Sequence, residues 1–125
     1  MIKMTTRKIL VVDDSKNIRK LITVILKNEG FEFIEAANGL DALSKARLEH
    51  PDLAILDIII PGANGIKVCR EIKKDPIIGA MPVIILTSEA TYEAMESARA
   101  AGADMYLTKP FEPSDLKKAV KTLLK

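Results

Sequence analysis

Apolar positions along the chain fall into two alternating kinds of segment. Three strand-length runs, Ile9-Leu10-Val11-Val12, Leu53-Ala54-Ile55-Leu56 and Val83-Ile84-Ile85-Leu86, are continuously apolar. Strands read this way when both faces of their sheet are covered. A weaker run, Phe31-Glu32-Phe33-Ile34, and a short one, Met105-Tyr106-Leu107, complete a set of five. Between them the spacing turns helical. Ile18, Leu21, Ile22 and Ile25 fall at i, i+3, i+4 and i+7, with Gly30 placed to stop the helix. A second helix is expected over 40–49, closed by Pro51, and a third over 65–74, with Ile66, Cys69 and Ile72 on one face. The fourth, over 91–101, is alanine-rich and carries only a thin apolar stripe before Gly102. In the fifth, Pro113 suits the first helical position, Leu116, Ala119, Val120 and Leu123 form the stripe, and Lys117, Lys118 and Lys121 the wet face. Five β-α repeats with crossovers this long predict an α/β fold, a doubly wound parallel sheet with helices on both faces.

Composition narrows the class without changing that picture. With 125 residues the chain makes one domain, large enough to bury roughly two thirds of its extended surface. No linker, repeat or charged tail divides it, so residues 1–125 are expected to act as one unit. The 19 basic and 17 acidic residues leave +2, scattered along the chain, which points away from direct nucleic-acid binding. A single Cys69 allows no internal disulfide and fits a reducing compartment. The N-terminal MIKMTTRK is polar and basic, and no apolar run is long enough for a leader or a membrane span. The expectation is a cytoplasmic protein.

The positions of the polar residues carry the chemistry. Asp13 and Asp14 follow the first strand, Asp57 the third, Thr87 and Ser88 end the fourth, and Lys109 follows the fifth. All lie at carboxyl ends of strands, the edge where open parallel sheets bind ligands. Singly they are ordinary: an Asp-Asp-Ser run can cap the next helix, and Lys109 before Pro110 reads as a solvated loop residue. Asp57 is different, because Ile58-Ile59-Ile60-Pro61 starts no helix for it to cap. If the first and third strands are neighbours, three carboxylates converge and require a cation. Hard oxygen ligands in an incomplete set suit Mg²⁺, whereas no His or Cys pair offers a zinc site and His50 reads as a surface residue. A lysine and a hydroxyl beside metal-bound carboxylates supply a nucleophile, a clamp and donors for phosphoryl oxygens. The site reads as a phosphate acceptor.

The fragments ILVVDDS (9–15), LAILDIIIPGANG (53–65), PVIILTS (82–88) and GADMYLTKPF (102–111), in this order and at this spacing, resemble the receiver domain of two-component response regulators, as in single-domain chemotaxis regulators. The resemblance covers the whole chain. It implies a flavodoxin-like (βα)5 fold with strand order 2-1-3-4-5. It implies Asp57 as phosphoacceptor toward a sensor histidine kinase, a phosphotransfer protein or a small acyl phosphate. Asp13, Asp14, Asp57 and the backbone carbonyl of Ile59 match ligands for Mg²⁺, for which Mn²⁺ substitutes. Lys109 matches the lysine that meets the phosphoryl oxygens, and its bond to Pro110 is expected to be cis. Thr87 and Tyr106 match a switch pair that reports to a target protein through the fourth helix, fifth strand and fifth helix, where Tyr92, Met95 and Glu96 are candidate contacts.

Three positions depart from the family pattern. Asn64 replaces the usual Asp of the loop after the acceptor, where it can still cap the third helix, and Gly62 adds freedom to that loop. Ser88 stands where Ala or Gly is usual. Ile59 and Glu89 flank the expected path of hydrolytic water. A phosphohydrolase of the aspartyl-phosphate type would want an acid two residues after the nucleophile, where Ile59 stands. A flavin binder would want a Gly/Ser/Thr-rich loop in place of Asp13-Asp14-Ser15-Lys16. The chain is therefore expected to be a regulatory domain, with catalysis limited to its own modification. The alternatives are a pseudo-receiver acting by contact alone and a receiver excised from a larger regulator. An opening Met and a complete fifth helix favour a stand-alone protein over the excised form.

Overall fold

The computed structural model describes residues 6–124; the first five residues of the N-terminal segment discussed above lie outside it. Five strands, β1 (Lys8–Val12), β2 (Glu32–Ala36), β3 (Leu53–Leu56), β4 (Val83–Thr87) and β5 (Met105–Thr108), form one parallel sheet in the order β2-β1-β3-β4-β5. Five helices follow them: α1 (Lys16–Leu26), α2 (Gly39–Glu49), α3 (Gly65–Lys74), α4 (Tyr92–Ala100) and α5 (Pro113–Leu123).

The alternation of side chains along a strand divides the core in two. Leu10, Val12, Ala54, Leu56, Val83 and Ile85 point to one face, against Ala42 and Ala46 of α2, Val68, Cys69 and Ile72 of α3 and Ala98 of α4. Ile9, Val11, Leu53, Ile55, Ile84 and Leu86 point to the other, against Ile22 and Leu26 of α1 and Leu116, Ala119 and Val120 of α5. The three central strands are wholly buried apart from Lys8, as their unbroken apolar runs require. The edge strands β2 and β5 are only half covered, which is why their runs look weaker.

Several boundaries move from the expected positions. The second strand begins at Glu32 and runs to Ala36, because its register with β1 pairs Lys8 with Glu32 and Val12 with Ala36; Phe31 packs edge-on against Phe33 from outside the strand. In α1, Leu21 is not part of the buried stripe and stands 44% exposed. The helix instead presents Ile22 and Leu26, one full turn apart, with Ile18 and Ile25 alongside. It ends at Leu26, passes through a 3₁₀ turn at Lys27–Glu29 and closes on Gly30 at φ 81°. His50, exposed as expected, ends α2 in the left-handed conformation at φ 50°.

Candidate functional site

Val12 and Leu56 are register partners at the ends of adjacent strands, so the residues that follow them emerge side by side. The Asp57 amide donates to the Val12 carbonyl at 3.0 Å, and the Asp13 amide to Ala36 at 3.2 Å. The chain therefore leaves the sheet with both acids still fixed by strand-like hydrogen bonds. Thr87 ends β4 fully buried, and the Lys109 amide, one residue past β5, donates to the Thr87 carbonyl at 2.8 Å. The Lys109-Pro110 bond is cis, as the resemblance implied. The four strand ends thus bring together Asp13, Asp14, Asp57, Thr87 and Lys109.

Lys109 is the centre of this edge. Its Nζ lies 2.6 Å from Asp13 Oδ2 and 2.8 Å from Asp57 Oδ2, and both acids are almost completely buried. The second oxygen of each carboxylate is also engaged: Asp13 Oδ1 accepts from the Ser15 amide at 2.9 Å and Asp57 Oδ1 from the Ile59 amide at 3.2 Å. Burial works to raise the Asp57 carboxyl, but the Lys109 ammonium and the nearby Thr87 hydroxyl outweigh it and hold the group below the ordinary carboxylate range. Burial wins at Asp13, whose carboxyl is raised. Burial also opposes charge on Lys109, yet its two carboxylate partners leave it raised above the usual lysine value. At neutral pH Asp57 is an anionic carboxylate held against a cation.

Asp14 is exposed, and among the described residues its carboxylate has no hydrogen bond or ion pair. Ser15, not either Asp, caps α1, its Oγ accepting from the Ile18 amide at 3.2 Å. The acids are therefore free of the capping role. Carboxylate oxygens of Asp13, Asp14 and Asp57 lie within 4.8 Å of one another. Three carboxylates beside one ammonium leave two negative charges, and this all-oxygen donor set fits a hard divalent cation.

The loop after Asp57 is shaped by close approach. A Cβ at Gly65 would stand 1.9 Å from the Asp57 carbonyl oxygen, so only glycine lets α3 start there. Asn64 caps that helix, accepting from the Ile66 amide at 2.7 Å, and Gly62 takes φ 87°, a left-handed turn that its lack of Cβ permits. The Ile59 side chain is 56% exposed beside the acids.

Glu89 joins the site to the α4-β5 face. Its amide donates to Thr87 Oγ1 at 3.3 Å, and its carbonyl accepts from the hydroxyl of the half-buried Tyr106. Ser88 is exposed. On α4, Tyr92 is 74% and Met95 44% exposed, while Glu96 is paired with Arg99 at 2.7 Å. Cys69 is buried, and burial pushes its thiol up to about 11, which removes it as a nucleophile.

Arg19 was not singled out by the sequence pattern. Its Nη1 donates to the Asp13 carbonyl at 2.7 Å and its Nε to Glu35 Oε1 at 2.9 Å. A signal was present: Lys16, Arg19 and Lys20 put positive charge in the amino-terminal half of α1, against the helix dipole, with no acidic residue in the first turn. Such a residue calls for an acceptor outside its own helix.

A parallel sheet of this order, with buried acids gathered around a lysine at its carboxyl edge, is the arrangement of a signal-receiver module. The model of the response regulator receiver domain matches residues 9–121, and the chain belongs to that family. It is 36% identical over 119 residues to the DNA-binding response regulator MtrA of Mycobacterium tuberculosis, covering 95% of this chain and 51% of that protein. The chain thus spans about half the length of the curated relatives it matches. The chemotaxis response regulator CheY4 of Vibrio cholerae superposes with a TM-score of 0.88 at 33% identity, over 95% of this chain and 99% of that one. The signal receiver domain of a signal transduction histidine kinase from Syntrophus aciditrophicus gives 0.88 at 33%, over 95% and 90%.

Proposed function

We propose that residues 1–125 act as one cytoplasmic receiver that accepts a phosphoryl group on Asp57 and converts it into a change of partner-binding surface. The observation that carries this reading is the Lys109 ammonium 2.8 Å from a buried Asp57 whose carboxyl is held in its anionic form. In the reaction an Asp57 oxygen attacks phosphorus, and an O–P bond forms as the donor's bond to phosphorus breaks. The electron pair leaves on the imidazole of a phosphohistidine or on the carboxylate of an acyl phosphate. Lys109 already sits between Asp13 and Asp57, where it can donate to the oxygens of the incoming group. Asp13, Asp14, Asp57 and the Ile59 carbonyl would hold the cation. A magnesium or manganese ion there supplies positive charge against the phosphoryl oxygens.

Thr87 and Tyr106 form the switch. An aspartyl phosphate adds negative charge and strong acceptors for the Thr87 O–H, and drawing the hydroxyl toward them pulls its oxygen away from the Glu89 amide that donates to it. Because the same residue holds Tyr106 through its carbonyl, a change at Thr87 reaches the ring. The output face is then α4, β5 and α5, with Tyr92 and Met95 as contacts for a target protein. The histidine-kinase receiver among its structural relatives supports a sensor kinase or phosphotransfer protein as donor. Among the described residues no helix is long and apolar enough to cross a membrane.

Intact-mass spectrometry after incubation with acetyl phosphate and Mg²⁺ tests the proposal. The expected result is an adduct of about 80 Da, labile to hydroxylamine, absent from Asp57→Asn and abolished by chelator. If no adduct forms and beryllofluoride does not bind, the domain is a pseudo-receiver that works by contact.

A further inference from the structure

We infer that Arg19, aligned by Glu35, is a positioning residue for the acidic turn, and that it sets the affinity of the site for a divalent cation. The inference rests on the metal-dependent reading above.

The argument starts from Asp14. Its carboxylate has no protein partner among the described residues, so its place is set by the backbone that carries it. Asp13 is secured on three other sides. Its amide donates to Ala36, its Oδ1 accepts from Ser15 and its Oδ2 accepts from Lys109. What remains is the carbonyl of Asp13. The peptide unit is planar, so the direction of that carbonyl fixes where the chain goes next, to the Cα of Asp14. Arg19 Nη1 holds it at 2.7 Å.

The guanidinium is in turn held in place. Glu35 Oε1 accepts from Nε at 2.9 Å, and the Arg19 side chain is only 14% exposed. Glu35 lies on β2, paired in register with Val11, and its carbonyl accepts from Lys45 Nζ at 2.6 Å. A chain of contacts therefore runs from α2 and β2 through one planar fork to the peptide between the two acids. Arginine suits this task because Nε and Nη1 are fixed relative to each other, whereas lysine offers a single point donor.

Groups that orient metal ligands without touching the ion commonly cost about 10-fold or more in affinity when removed. Titrating ¹⁵N-labelled protein with MgCl₂ by NMR reads this directly, and dispersed amide spectra report folding in the same samples. Arg19→Ala is expected to weaken magnesium binding about 10-fold, Arg19→Lys by less, and Glu35→Gln, which keeps the accepting oxygen, hardly at all. In acetyl phosphate reactions the magnesium concentration for half-maximal rate should rise in step, while the limiting rate at saturating magnesium returns to wild type. A purely structural role would lower stability and leave magnesium affinity in the folded protein unmoved, and that result overturns the inference. If Arg19→Ala does not fold, Glu35→Ala takes its place; unchanged affinity there overturns it equally. Wild-type protein that fails to bind magnesium at all would instead sink the metal-dependent reading itself, and this inference with it.

Discussion

At the amino ends of the strands Lys73 pairs with Asp104 at 2.9 Å and Lys8 with Glu49 at 3.3 Å, while at the carboxyl ends Lys109 pairs with Asp13 and Asp57 at 2.6 and 2.8 Å. The distances are similar, but the surroundings are not. The acids at the amino end are 36% and 41% exposed, against 3% and 8% for those around Lys109. Acids at this end also serve the backbone: Asp104 accepts from the Val83 amide, and a further acid, Asp52, accepts from that of Lys8, so these two staple strand entries. At the carboxyl end two like charges are buried side by side with one cation. No staple needs that arrangement, and its cost fits the proposed receipt of a second cation and an anionic group.

Removing the cation from the buried cluster should have the largest effect. Lys109→Ala leaves Asp13 and Asp57 without their shared partner, and breaking a buried pair costs about 3 kcal/mol or more. Urea denaturation in chelator should show that loss, added magnesium should narrow it, and the phosphoryl adduct should be lost. Equal stability without metal would mean that the two acids relax into water, and the contrast between the ends would fail. Gly65→Ala should come next. Its Cβ would meet the Asp57 carbonyl oxygen at 1.9 Å, and forced overpacking of this kind costs about 1–3 kcal/mol. Adduct formation should slow as well, because the atom displaced belongs to Asp57, the proposed acceptor.

The carboxyl end was legible in the sequence because its polar residues interrupt continuous apolar runs. Asp57 after Leu53-Ala54-Ile55-Leu56 has no bland explanation, and once β1 and β3 are neighbours its meeting with Asp13 follows from register. The glycine and asparagine before α3 were legible for the same local reason. Lys109 is legible at the same edge, beside the carboxylates, but its bridging of Asp13 and Asp57 at once is not, since 96 residues separate it from Asp13 and only the crossover order brings them together. The unfavourable positive charge at the start of α1 is shared by Lys16, Arg19 and Lys20, and nothing in the sequence says which of the three turns inward to a carbonyl. Leu21 was misplaced on the core face because spacing allows several adjoining stripes, and the position of α1 on the sheet selects the one through Ile22 and Leu26.

The smallest effect is expected at the opposite end, and it sharpens the comparison most. Lys73 Nζ donates to the Met81 carbonyl at 2.8 Å as well as pairing with Asp104, so Lys73→Ala removes one partly exposed ion pair and one hydrogen bond. Such a loss is worth about 1 kcal/mol. The urea midpoint should fall slightly, while adduct yield and the magnesium requirement stay at wild-type values, because among the described residues no hydrogen bond or ion pair of Lys73 reaches the strand ends that hold the acids. A change of several-fold in either would show that the entry to β4 is energetically coupled to Thr87 at its exit. Charge at the amino end would then be part of the switch, and the division between stapling and receiving ends would have to be redrawn along β4.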